Sequence, residues 1–191
     1  MAWKNEVRIQ RFLQVINEDI LPITRRGVDQ GHKIFGAAIM LEKDLSLVVA
    51  DTNHEKECPL WHGEVFTIKR FYEMRERPDP TECIFLSTHE PCSMCLSALA
   101  WSGFPLVYFL FTYHETKDDF AIPDDLKILH QIFKCPRPER KSDYLEMFSI
   151  MELLTDLPEQ EQARLYLQIE AIKESYVYLS RLYQERENIL D

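Results

Sequence analysis

The chain has 191 residues, 46 % of them apolar and 28 % charged, and its 22 basic and 32 acidic side chains leave a formal net charge of −10. This balance suits one domain with a core of its own and excludes a disordered or collagen-like chain. No apolar run approaches the roughly 18 residues of a spanning helix, and the first residues lack the apolar stretch of a secretion signal, so the expected setting is cytoplasmic and away from membranes.

In chain order, residues 2–21 read as a helix. Ile9, Phe12, Leu13, Ile16 and Ile20 recur at three- and four-residue spacings, and Pro22 stops the pattern. A loop with Gly27 and Gly31 follows. Residues 35–41 and 45–50 read as two strands of a hairpin around Glu42-Lys43-Asp44. A helix is expected from Gly63 to Arg77, a third strand at 83–88, a short helix at 92–101 and a fourth, wholly apolar strand at 106–112. Strand, helix, strand, helix, strand indicates parallel crossovers behind an antiparallel hairpin. Residues 112–120 read as a solvated loop, 124–133 as a helix and 145–151 as a fifth strand. Pro158 opens a long helix to about Asn188, with an apolar seam at Leu165, Ile169, Ile172, Tyr176, Leu179 and Tyr183. That seam packs either on the sheet or on a second subunit.

Residues 143–191 hold eleven acids against four bases, so the chain offers no broad positive field for nucleic acid. Lys69, Arg70, Arg75 and Arg77 form a local basic cluster, read as a solvated helix face. Five cysteines, an odd number, favour metal or catalytic thiols over a disulfide framework.

Two motifs carry chemistry: His62-Gly63-Glu64 and, 30 residues on, Pro91-Cys92-Ser93-Met94-Cys95. Both fall at expected helix starts. Cys92 and Cys95 are three apart, so their thiols share one face of a first helical turn, where the helix dipole favours thiolates. One imidazole and two thiolates suit zinc, Zn2+, and leave a fourth tetrahedral position for water. Glu64, two residues beyond His62, would exchange protons with that water. A structural site would need a fourth ligand, for which Cys58, Cys83, His89 and Cys135 are the candidates.

These motifs resemble the signature of the zinc-dependent nucleobase and nucleoside deaminases, the cytidine and deoxycytidylate deaminase superfamily. Phe35-Gly36-Ala37-Ala38-Ile39 is similar to the first strand of that family, and Ser87 to Pro91 to the segment before its paired cysteines. Asn53 matches an asparagine that contacts substrate in many members. Glu90-Pro91-Cys92 and the parallel fourth strand look most like the guanine deaminase and tRNA adenosine deaminase branch.

The resemblance implies a three-layer α-β-α fold with a mixed five-stranded sheet, here with a long C-terminal helix. It implies a single domain over 1–191, with a catalytic core at about 1–132 and a divergent extension at about 140–191. It implies hydrolytic removal of a ring amino group from a nucleobase or nucleoside, guanine being one possibility. It further implies zinc on His62, Cys92 and Cys95, catalysis by Glu64, substrate contacts from Asn53, Gly63 and Trp61, and a homodimer. Acidic residues within 112–120 would meet the N–H edge of guanine, and Phe35, Trp61, Phe104, His114 and Phe120 are candidates for stacking. The alternatives are a nucleic-acid deaminase and a non-catalytic relative that binds partners. Two departures stand out. Gly63 replaces the usual alanine, and Trp61 stands where a small residue is common.

Overall fold

The computed structural model describes residues 2–190, with side chains from 5 to 186. The chain begins with α1 (Ala2–Val15), a π turn (Ile16–Ile20) and α2 (Leu21–Asp29), followed by the hairpin β1 (Gly36–Leu41) and β2 (Leu47–Thr52). Then come α3 (Gly63–Glu73), β3 (Cys83–His89), α4 (Ser93–Trp101) and β4 (Leu106–Phe111). The remainder is α5 (Tyr113–Asp118), α6 (Asp124–Ile128), β5 (Glu146–Ser149), α7 (Ile150–Thr155) and α8 (Glu159–Leu190). The five strands form one mixed sheet in the order β2-β1-β3-β4-β5. β1 is antiparallel to both neighbours, whereas β3, β4 and β5 run parallel. This is the expected α/β architecture.

Period-two alternation divides the core between the sheet's faces. Ala38, Met40, Ile84, Leu86, Tyr108 and Leu110 meet α1, α2, α7 and α8. Ala37, Ile39, Phe85, Val107 and Phe109 meet α3 and α4 through Ile68, Phe71 and Leu99. Strands covered on both faces are apolar throughout, which is why β4 reads as an unbroken apolar run. All six seam residues of α8 lie buried in the first of these layers, so the seam packs within the chain. Ser180 donates to the Phe120 carbonyl at 2.5 Å, and Arg186 to the Val28 carbonyl at 2.7 Å, tying the far end of α8 to the core. Among the described residues, no helix is long and apolar enough to cross a membrane.

Several boundaries differ from the sequence-based expectation, each for a physical reason. Pro22 does not end the first helix. The π turn bonds the Leu21 N–H to the Ile16 carbonyl, and Pro22 enters the first turn of α2, where no donor is required. The expected loop around Gly27 is therefore helical. A Cβ at Gly27 would lie 3.1 Å from Thr52 Cγ2, so glycine permits α2 to pack closely on β2. The second strand starts two residues late because Leu45 adopts φ 59° in the hairpin turn. α3 stops at Glu73 rather than Arg77, ahead of Pro78. Residues 113–118 are helix rather than loop, since Thr112 and Glu115 form a reciprocal capping box. The fifth strand ends at Ser149, whose side chain accepts the Glu152 N–H and starts α7 instead.

His89, at the end of β3, is enclosed by the rings of Phe35, Phe111, Phe120 and Tyr176 at 4.8–5.5 Å. Its Nε2 is buried without a hydrogen-bond partner, and burial pushes its pKa down to about 3. The folded state thus excludes a proton that the unfolded chain takes up below about pH 6.5. This contribution to stability is present above that pH and is lost as the pH falls. Between pH 7 and pH 5 the wild type is expected to lose about 2 kcal/mol relative to His89→Phe. Urea unfolding at the two pH values measures that difference.

Candidate metal centre and active site

The site forms where α3 and α4 begin beside the ends of β1 and β3. His62 occupies the extended N-cap position of α3, and Cys92 the same position of α4. Each donor is therefore set at a backbone bend followed by a rigid helix. His62 Nδ1 lies 3.6 Å from both sulfurs, and the sulfurs are 3.5 Å apart. A tetrahedral ion with Zn–S of about 2.3 Å and Zn–N of about 2.0 Å holds such donors about 3.5–3.8 Å apart. The three side chains thus fit zinc in both donor chemistry and spacing, and they could hold it as they stand. The candidates for a fourth ligand are not part of this group. His89 is committed to its aromatic cage, and Cys135 donates to the Arg137 carbonyl at 2.7 Å.

Of the three donors, Cys92 is held as the thiolate, whereas His62 and Cys95 keep their protons. Cys92 receives a hydrogen bond from Cys95 and, despite burial, is brought down to about 4 with help from His62. Burial alone would lower His62, but the hydrogen bond and charge of Cys92 outweigh it and hold the imidazole at about 9. Burial raises Cys95 well above the ordinary thiol value.

Glu64 follows in the first turn of α3 and is only 4 % exposed. One carboxyl oxygen accepts from Ser87 Oγ at 3.2 Å, while the other lies 3.5 Å from Cys95 Sγ. Burial, then the Cys92 charge, pushes its pKa up. The result is a buried carboxyl beside the donor set but outside it.

Asn53 and Gly63 meet directly. The Gly63 N–H donates to Asn53 Oδ1 at 2.5 Å, and Asn53 Nδ2 is buried without a partner. The spare donor of this pair is therefore the amide of Asn53, not the backbone of Gly63. Glycine at 63 has a steric reason. A Cβ there would lie 2.8 Å from the Phe35 carbonyl oxygen and 2.9 Å from Gly36 Cα, both rigid backbone. Gly63→Ala is expected to cost about 1–3 kcal/mol by forcing β1 and α3 apart, and thermal unfolding reads that loss.

The remaining sequence candidates are dispersed. Trp61 packs against Phe66 at 5.3 Å, with Lys69 Nζ 5.5 Å above its ring. Phe104 stacks edgewise on Phe71 and Phe85 in the core, and Phe120 belongs to the cage around His89. The Phe35 ring lies 6.5 Å from that of His62. His114 is exposed and lines a small cleft with Glu90 and Arg137. The acidic residues of 112–120 are used elsewhere. Glu115 caps α5 and pairs with Lys173, which also pairs with Asp119 at 2.7 Å. In the basic cluster, Lys69 pairs with Glu73 at 2.7 Å and Arg77 lies 4.8 Å over the Tyr72 ring.

Sequence reading missed two carboxylates. Asp125, in the first turn of α6, feels the charges of Cys92, His62 and Glu64 and is pushed up to about 7, mainly by burial. Glu90 is buried, accepts the Tyr113 N–H at 3.2 Å and two hydrogen bonds from Arg137, and Tyr113 in turn donates to the Pro91 carbonyl. This network braces the backbone next to Cys92. The Asp pair opening a helix at 124 offered a signal for Asp125, though not for the site its side chain would join.

The family model of the cytidine and deoxycytidylate deaminase zinc-binding region matches residues 14–111, slightly over half of the chain. The chain belongs to this deaminase family. Its zinc-binding region spans His62, Cys92 and Cys95. Guanine deaminase of Bacillus subtilis (strain 168) is 28 % identical over 115 residues, 59 % of this chain and 70 % of that protein. A crystal structure of guanine deaminase from Bacillus subtilis aligns with TM-score 0.53 and 24 % identity, over 70 % of this chain and 80 % of the other. A mutant of NE0047 solved with 8-azaguanine aligns with TM-score 0.50 and 19 % identity, over 87 % and 86 %. At these identities the structural likeness establishes the deaminase fold alone.

Proposed function

We propose that this family member is a zinc-dependent hydrolytic deaminase of a free nucleobase or nucleoside, with guanine the leading candidate. The observation that carries the reading is the placement of a buried carboxyl, Glu64, within 3.5 Å of a three-donor set that fits zinc and leaves one position open. A purely structural site has no use for that carboxyl. When bound, the ion supplies a Lewis-acidic centre that makes water a nucleophile at neutral pH, by lowering its pKa to about 7.

The residues of the chain divide the remaining work. Glu64 takes a proton from the attacking water and delivers it to the ring nitrogen beside the amino-bearing carbon. It then passes the second proton to the departing amine, so that water and amine exchange for oxygen and ammonia. Ser87 holds one Glu64 oxygen in place and leaves the other for proton transfer. A zinc ion nearby opposes the burial that raises the Glu64 pKa, which keeps the group able both to accept and to give a proton. Asn53 presents the unpartnered amide donor to a ring acceptor. Asp125 presents a carboxylate to an N–H edge, which among bases suits the imino and amino face of guanine.

The guanine deaminase relative and the nucleobase analogue bound by the NE0047 mutant support this substrate class. The acidic surface supports a small molecule over a polynucleotide. The same reading takes the chain as one cytoplasmic domain acting as a homodimer.

Asp125 provides the test of the substrate. A charge-assisted hydrogen bond of about 1.5–3 kcal/mol corresponds to about 10–100-fold in kcat/KM. Asp125→Asn is expected to lose that much on guanine while binding zinc normally. Unchanged kinetics on guanine, with turnover on another base or on tRNA, would move the substrate assignment.

A further inference from the structure

A second group of metal-type donors lies outside the deaminase site. His32, in the turn after α2, and His54 and Glu57, in the loop after β2, each bring one ligand atom, and these lie within 4.8 Å of one another. The two imidazoles are 5.2 Å apart, and His54 is stacked on Phe66 at 3.8 Å, which fixes its ring plane. His32 is only 3 % exposed.

Each ring is backed by a further carboxylate. Asp51 Oδ1 lies 3.3 Å from His54 Nε2, and Glu55 Oε2 lies 3.8 Å from His32 Nδ1. Glu55 Oε2 is buried without a hydrogen-bond partner, although the other Glu55 oxygen accepts the Lys33 amide N–H. His54 faces a carboxylate on both sides, since its Nδ1 is 2.8 Å from Glu57. A neutral imidazole has one N–H and one lone pair, so one of those carboxylates meets a lone pair. A cation there, a second ring proton or a metal ion, relieves that repulsion. An imidazole that donates its other N–H to a carboxylate is the usual arrangement behind a metal ligand.

We propose that His32, His54 and Glu57 form a second metal site, for a divalent first-row transition ion. Two imidazoles and one carboxylate suit zinc and its neighbours in the series rather than calcium or magnesium. Loading the ion places the His32 proton on Nδ1, where Glu55 accepts it, and gives up the 3.3 Å contact from the Lys56 amide. His54 donates from Nε2 to Asp51. The ion then ties the loop between β2 and α3 to the turn after α2. That loop starts at Asn53 and ends at His62, so the second site steadies both ends of the segment that supplies the first.

Zinc titration of the full chain, with bound metal counted after equilibrium dialysis, tests the proposal. The wild type is expected to take two equivalents. His54→Gln and Glu57→Gln should each take one, and the Cys92→Ser, Cys95→Ser double variant should keep the other. Asp51→Asn should weaken the second equivalent by about 10–100-fold. Cobalt substitution separates the two, because thiolate charge-transfer absorption belongs to the cysteine site alone. Glu57 is solvent-exposed, so its variant carries the test even if a histidine variant does not fold. Saturation of the wild type at one equivalent would overturn the proposal. So would a second equivalent that persists when His54 and Glu57 are both replaced.

Discussion

Zinc binding to the metal-free protein at pH 7.5 is expected to release about two protons. His62, held at about 9, and Cys95, held higher still, are both protonated at that pH, whereas Cys92, at about 4, is already a thiolate. Only the deprotonated imidazole and thiolates bind the ion, so the two protons must leave. Affinity should therefore rise about 100-fold per pH unit between roughly pH 5 and pH 8.5, and fall in acid as protons compete. Calorimetry in buffers of different ionisation enthalpy counts the protons directly. Cys95→Ser removes a buried donor and should lower zinc affinity by more than 100-fold. Release of none, or an affinity indifferent to pH, would mean that these three side chains are not the ligands.

Glu64→Gln is expected to lower kcat by about 100- to 10,000-fold, the range that a positioned acid–base group contributes. Glutamine keeps the size of the side chain and can still accept from Ser87, so the fold and the donor set should survive. Zinc content should match the wild type, because Glu64 stands outside the ligand group. The comparison of kcat at equal zinc content thus separates proton transfer from metal binding. A kcat within tenfold of wild type would remove Glu64 from the chemistry.

How much of this could be seen in the sequence depends on how local the cause is. The ligand residues were legible because His62 and Cys92 sit at helix N-caps and Cys95 one turn on, a spacing that backbone geometry alone enforces. Parallel strands behind an antiparallel hairpin followed from the succession of strands and helices and from the unbroken apolar run of β4. Pro22 misled because the π turn before it relocates the proline to a harmless position, a feature set by packing. The helix at 113–118 was hidden in a charged run, although Thr112 and Glu115 spell its capping box. Asp125 gained its importance only when the fold carried α6 to the cysteines, and Glu90, two residues before Cys92, only when the fold brought Tyr113 and Arg137 to it. Gly63 looked like a departure from the family, and the backbone of Phe35 and Gly36 explains it. The seam of α8 had two readings, and burial of Tyr176 and its neighbours in the chain's own core decides between them.

On the proposed reading, the His62, Cys92 and Cys95 centre, once loaded with zinc, removes a ring amino group by hydrolysis. Ammonia release from a panel of bases and nucleosides, by protein reconstituted with one zinc at that centre, tests it most directly. Release is expected from a nucleobase or nucleoside, guanine first, and none from the metal-free protein. A zinc-loaded protein that releases no ammonia from any member of the panel, or a metal-free one that releases it equally well, would rule out zinc-dependent deamination at this centre.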